Sequence, residues 1–139
     1  TAYLDRLAIS CGIPRPRAAD LLDRYGTLAR KIAVFCQEDA DAPLRTLPSY
    51  TRRELAFISR NELVRRVSDV LYRRTPIALS GRMTPDVVQE VARVVGEELG
   101  WSEAKIASEA QTAWKEGCER HNLQGDFPVS SEPQKILKA

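Results

Sequence analysis

The stretch from Tyr50 to Thr75, YTRRELAFISRNELVRRVSDVLYRRT, constrains this chain more than any other. Leu55 and Ile58 fall on one helix face. Ala56, Leu63, Val67, Val70 and Leu71 form a second apolar row at helical spacing if the helix runs on. Glu62 stands four residues before Arg66 and Asp69 four before Arg73. Acid before base at that spacing is the favourable order, worth about 0.2–0.5 kcal/mol per exposed pair. From Arg52 to Arg82 there are eight arginines and three acids (Glu54, Glu62, Asp69), a local excess of +5 in a chain whose net charge is +2. Two readings follow. The face is solvated and its charges pair among themselves, or it docks acidic groups or phosphates, which guanidinium forks bind bidentately.

Helix signals continue on both sides of this segment and strand signals are nearly absent. A short helix is expected over 2–10, broken by Gly12 and Pro14. A second begins near Pro16 and ends at Gly26, a left-handed cap. Thr27 is placed to cap a third helix carrying Leu28, Ile32, Phe35 and Cys36. Residues 38–48 read as an acidic surface loop. The central segment forms two helices or one kinked helix, with its break between Leu63 and Ser68. Pro76 disturbs the end of the second and Ser80-Gly81 closes it. Thr84 and Pro85 open the next helix, whose stripe is Val87, Val88, Val91, Val94, Val95 and Leu99, and Gly100 ends it. Ser102 caps a last helix that buries Ile106, Ala110, Ala113, Trp114 and Gly117 or Cys118, with small residues that admit a close neighbour. From Asn122 the chain turns polar and reads as a mobile or loosely docked tail.

With 139 residues, 43% hydrophobic and 29% charged, the chain suits one globular domain with a modest core. No apolar run reaches the length of a membrane span. The start, TAYLDRL, is neither a signal peptide nor an initiator, and reads as a processed chain or an excised fragment. Cys11, Cys36 and Cys118 are odd in number and far apart, which fits buried structural thiols in a reducing compartment. The single histidine, His121, lies near a helix end, where the dipole or solvent is its expected partner. One histidine cannot build a Cys/His metal cluster and gives nucleophile–base catalysis little support. Glycine-rich nucleotide loops and calcium-binding loops are absent from the sequence, and no paired carboxylates stand out. CGIPRPRAADLLDRYGTLARKIA has a faint helix-hairpin-helix character without the paired glycines, and the arginines of the basic helix are interleaved with acids. Nucleic acid is therefore not an expected partner.

Several blocks together resemble the C-terminal helical domain of the FAD-dependent glycerol-3-phosphate dehydrogenases and the related alpha-glycerophosphate oxidases. These are Leu22-Asp23-Arg24-Tyr25-Gly26, the tyrosine-led helix from Tyr50 to Glu62, Asp69-Val70-Leu71-Tyr72-Arg73-Arg74-Thr75, and Glu98-Leu99-Gly100-Trp101. They span 21–114 in the family's order, and the Arg-Arg-Thr block is the most specific. Pro76 departs from the helix-compatible residue expected after it. The resemblance implies a parent enzyme that oxidises sn-glycerol 3-phosphate to dihydroxyacetone phosphate on FAD, passing electrons to quinone or to oxygen. It places the flavin and substrate residues in a larger preceding part, so no catalytic, cofactor-binding or metal residue is carried over. Mitochondrial relatives continue into EF-hands, which this tail lacks, so a bacterial-type protein is implied.

The expectation is an all-α fold, a compact orthogonal or bundle-like packing of five to seven helices. Residues 1–121 form a non-catalytic C-terminal cap domain and 122–139 its tail. The fragment holds no cofactor; FAD belongs to the parent. Its partner is the FAD/substrate-binding part of the same chain, with homo-oligomerisation as a second role. A cytoplasmic location is implied, which allows a parent peripheral on the inner face of the membrane. Asp69, Arg73, Arg74 and Thr75 are the candidate interdomain residues, Asp69 orienting Arg73 across one turn. The competing reading makes them an ion network internal to the domain. Tyr50, Trp101 and Trp114 are expected as core or helix-junction aromatics. A small helical protein-binding or nucleic-acid-binding module is the alternative.

Overall fold

A computed structural model describes residues 2–62 and 64–127. Helix α1 is Ala2–Cys11 and α2 Arg15–Tyr25. A 3-10 turn over Gly26–Leu28 leads into α3, Ala29–Gln37. Helix α4 is Arg52–Asn61. Helix α5 is Val67–Asp69, continued as a π-helical turn over Val70–Arg74. A second 3-10 turn covers Ala78–Ser80, and α6 (Pro85–Leu99) and α7 (Glu103–Arg120) complete the fold. Among the described residues no strand forms, and one isolated bridge joins Pro43 to Thr51. The all-α expectation holds.

Local chemistry sets most of these boundaries. Thr84 accepts a hydrogen bond from the Val87 amide, Pro85 sits in the first turn, and Gly100 ends α6 in the left-handed region at φ 76°. Ser102 caps α7 through the Lys105 amide. Thr27 does not cap α3: it lies inside the 3-10 turn, and the residue before the helix makes no side-chain cap bond. The chain enters α3 already wound, so its first amides need no hydroxyl. The central segment breaks as expected, since α4 ends at Asn61 and α5 starts at Val67. Leu63, placed in the apolar row, lies outside the described residues.

The helices pack in two connected groups. Helices α1, α2 and α3 form a three-helix cluster, α3 packs on α4, α4 on α6, and α6 on α7, while α5 lies against α7. The core runs through all of them, from Leu7 and Leu21 through Ile32, Leu55 and Ile58 to Leu71, Val88 and Val95. Tyr50 and Trp114 are buried and Trp101 is half-buried at the α6–α7 junction. Gly96 admits Ile106 and Trp101, and Gly117 admits Leu123 and the Tyr72 hydroxyl; a Cβ at either would overlap those side chains. The beginning of the tail is docked: Trp114 Nε1 donates to the Gly125 carbonyl at 3.0 Å and the Trp114 and Phe127 rings lie 6.4 Å apart. The rest of the tail, 128–139, lies outside the described residues. Only Cys36 among the three thiols is buried; Cys11 and Cys118 are half-exposed and all three are free.

Candidate interdomain face

Two polar centres organise the segment around α4 and α5. The first is built on Glu54, whose side chain is wholly buried. Thr51 caps α4 by accepting from the Glu54 amide, and the Glu54 carboxylate returns to the Thr51 amide, a capping box. The same carboxylate accepts from Arg17 Nη1 at 2.8 Å, from Arg24 Nη1 at 2.9 Å and from the Tyr25 hydroxyl at 2.6 Å. Arg17 also donates to Thr51 Oγ1 at 3.1 Å, and Arg24 lies 3.6 Å over the Tyr50 ring. Burial disfavours the charged guanidinium of Arg17, but the charge and hydrogen bond of Glu54 outweigh it and hold Arg17 protonated more firmly than usual. Burial, then the neighbouring carboxylate, drive the Tyr25 hydroxyl far above its ordinary value. This centre bolts α2 to α4. It also turns inward two arginines of the segment with helix-hairpin-helix character, which removes them from any phosphate contact.

Sequence reasoning did not single out this centre. Two signals carry it. Thr51 and Glu54 have the spacing of a capping box, and Arg17 and Arg24 lie two turns apart on one face of α2. What the sequence does not carry is that α2 and α4, separated by the whole of α3 and a loop, face each other.

The second centre surrounds α5. Asp69 Oδ2 accepts from the Arg65 amide at 2.9 Å and the Arg66 amide at 3.0 Å, satisfying donors that precede the helix. Glu109, buried on α7, accepts from the Val67 amide at 3.1 Å and pairs with Arg66 at 3.3 Å. The Glu62–Arg66 pair expected from spacing therefore does not form: α4 ends at Asn61, so no helix joins the two residues, and Arg66 turns to α7. At the other end Thr75 is buried. Its hydroxyl donates to the Val70 carbonyl at 2.7 Å and accepts from the Ile77 amide at 3.3 Å. Pro76 has no amide to extend the helix and forces the preceding residue out of helical geometry, so Thr75 is extended at φ −135°, ψ 160°. Tyr72 donates to the Ala113 carbonyl at 2.8 Å, and burial lifts its hydroxyl to about 12. His121 stacks on the Tyr72 ring, centroids 4.5 Å apart and planes within 3°, rather than meeting only the helix dipole or solvent.

The four residues expected at the interface thus divide. Asp69 and Thr75 face inward and shape the turn. Arg73 pairs with Asp69 at 3.5 Å while its side chain stays 68% exposed. Arg74 is exposed and its side chain has no hydrogen bond, ion pair or ring contact among the described residues. Elsewhere in the basic segment Arg52 pairs with Glu97, Arg60 with Glu98, and Arg53 donates to the Phe35 carbonyl while lying over its ring. The reading in which charges pair within the domain accounts for most of the arginines. Arg65, Arg74 and Arg82 are left with side chains unpaired among the described residues. In a shallow groove between α6 and α7, Glu90 is taken by Thr46 and the Arg45 amide, and Arg93 by Glu103.

Among the described residues no cluster of His, Cys, Asp and Glu suits a metal ion, and no helix is long and apolar enough to cross a membrane. The described residues form a helical domain whose polar centres hold its helices together. Residues 1–106 match the family described as the C-terminal domain of alpha-glycerophosphate oxidase, and the chain belongs to that family. It is 33% identical over 101 residues to a protein named glycerol-3-phosphate dehydrogenase 2 in Mycobacterium tuberculosis (strain ATCC 25618 / H37Rv), covering 70% of this chain and 17% of the relative. The same figures hold for the glycerol-3-phosphate dehydrogenase 2 of Mycobacterium bovis. A glycerol-3-phosphate dehydrogenase of Mycobacterium leprae is 29% identical over 112 residues, 78% of this chain and 19% of the relative. The chain thus spans less than a fifth of the length of these relatives, at their C-terminal region. No solved structure matches.

Proposed function

We propose that this chain serves as the C-terminal accessory domain of an FAD-dependent enzyme that oxidises sn-glycerol 3-phosphate to dihydroxyacetone phosphate. The observation that carries the reading is the family match over 1–106, in a chain that covers less than a fifth of its dehydrogenase relatives. The domain itself does no chemistry. The helices between Ala2 and Arg120 form the cap, the start of the tail docks on Trp114, and flavin and substrate are held by the preceding part of the parent. Its charges support the same role, since Glu54 and Glu109 tie helices together and Asp69 caps the start of its own.

The test is made on the full-length parent protein. A bound flavin, seen by its visible absorbance and bleached by sn-glycerol 3-phosphate, supports the reading. A parent that purifies folded but without flavin, or whose flavin is not reduced by that substrate, overturns it. The interface part of the reading rests on Arg74. Arg74→Ala in the parent is expected to lower thermal stability and flavin retention, and a variant equal to wild type in both removes Arg74 from the interface.

A further inference from the structure

The corner between the π-helical turn and α6 has an outward face with no counterpart inside the domain. Residues 70–85, VLYRRTPIALSGRMTP, contain three arginines and no acid. Their inward members are fixed. Thr75, Ile77 and Met83 are buried, Thr75 closes on Val70, the Ser80 hydroxyl donates to the Ile77 carbonyl, and the Leu79 amide bonds to the Pro76 carbonyl. The outward members are Arg73, Arg74, Leu79 and Arg82, all exposed. Leu79 is 89% exposed, more than any other large apolar side chain among the described residues. Arg74 and Arg82 stand close to it in the chain on either side, with side chains unpaired among the described residues, and Arg73 pairs with Asp69 on its own helix.

We infer that this corner is a plug that seats Leu79 in an apolar socket with an acidic rim, and that the socket lies on the preceding part of the parent enzyme. The inference rests on the accessory-domain reading and adds to it the partner's chemistry and two residues, Leu79 and Arg82. Guanidinium forks pair with carboxylates in fixed geometry, and arginine is enriched at the centres of protein interfaces. An anionic membrane offers the same charge but fits less well. One leucine contributes on the order of 1.5–3 kcal/mol when buried, and stable membrane attachment takes more than a single acyl chain supplies.

The experiment places Leu79→Cys in the full-length parent and follows its alkylation site by site. The reference is the rate of the same thiol in denaturant. A free corner leaves Cys at this position as reactive as the unfolded thiol, because the side chain stands in solvent. A seated plug is expected to slow it by at least about tenfold. Adding Arg74→Glu and Arg82→Glu is expected to restore the rate. A rate equal to the unfolded reference, in a parent that still binds flavin and is reduced by sn-glycerol 3-phosphate, overturns the plug while leaving the functional reading intact. Slowing that survives the two charge reversals overturns the acidic rim. Slowing that appears only on adding phosphatidylglycerol vesicles assigns the corner to a membrane and overturns the protein socket.

Discussion

Arg24 and Glu54 meet 2.9 Å apart inside the domain, the carboxylate wholly buried and the guanidinium nearly so, with Arg17 on the same carboxylate. Two cations converge on one anion, and the Tyr25 hydroxyl completes its acceptor capacity. Removing Glu54 leaves two guanidinium groups facing each other without a counter-charge. Glu54→Ala is therefore expected to cost about 3–5 kcal/mol, the scale of breaking a buried pair from one side. Urea denaturation measures it. A loss under about 1 kcal/mol would mean that water reaches the centre and screens it.

Thr75 makes a smaller but sharper test. Its hydroxyl serves the Val70 carbonyl and the Ile77 amide at once. Thr75→Val keeps the shape and removes both bonds, so a loss of about 1–3 kcal/mol is expected. Thr75→Ser retains the hydroxyl and is expected to recover most of that. A larger loss in Thr75→Ser than in Thr75→Val would place the stabilisation in the methyl group instead.

Most of the fold was legible because its helix ends are written locally. Thr84-Pro85, Gly100 and Ser102 each determine a boundary through atoms within a few residues, and each was read correctly. The failures share a cause. Thr27 has the right chemistry for a cap but sits in a turn that had already begun to wind. Glu62 and Arg66 have the spacing of a pair but not the continuous helix that would bring them together. For the site, the local half of each device was visible and the distant half was not. Asp69 and Arg73 were paired from spacing alone, but the two amides that Asp69 also holds were missed because they precede the helix. His121 meets Tyr72, and Glu54 meets Arg17 and Arg24, only after distant helices have packed.

Gly117 tests that packing directly. A Cβ there would strike Leu123 and the Tyr72 hydroxyl, which is already committed to the Ala113 carbonyl. Gly117→Ala improves helix propensity by up to about 1 kcal/mol, but overpacking of this kind costs about 1–3 kcal/mol. Net destabilisation is expected, together with loss of the Tyr72–His121 stack, visible in the tyrosine near-ultraviolet signal. A more stable variant would show that Leu123 and the tail segment yield freely.

Stability is expected to fall at alkaline pH. Burial, then the charge of Asp41, push the Cys36 thiol from 9.0 up to about 11, and burial lifts Tyr72 from 10.0 to about 12. The folded state holds these protons after the unfolded chain has released them. Between about pH 9 and 11 the unfolded state binds fewer protons, so unfolding becomes easier as pH rises through that window. Cys36→Ala removes the thiol's share of the slope between pH 9 and 11 and leaves the share of the raised tyrosines Tyr25, Tyr50 and Tyr72 from pH 10 upward. Urea midpoints from pH 8 to 11 with identical slopes in wild type and variant would mean that Cys36 titrates normally.

Asp69 and Arg73 separate the two roles that one carboxylate can play. Its Oδ2 atom holds the amides of Arg65 and Arg66, while Oδ1 faces Arg73 at 3.5 Å. The amide bonds satisfy backbone donors at a helix start, whereas the ion pair is solvated and one turn long. Asp69→Ala is therefore expected to cost about 0.5–2 kcal/mol, the scale of losing a helix cap. Arg73→Ala is expected to cost no more than about 0.5 kcal/mol. Denaturation of both variants gives the order. The reverse order would make the Asp69–Arg73 pair the dominant contact and the amide bonds incidental. Because the guanidinium of Arg73 stays largely in solvent, it can change partners without loss of fold, which leaves it free to join Arg74 in a contact outside the domain.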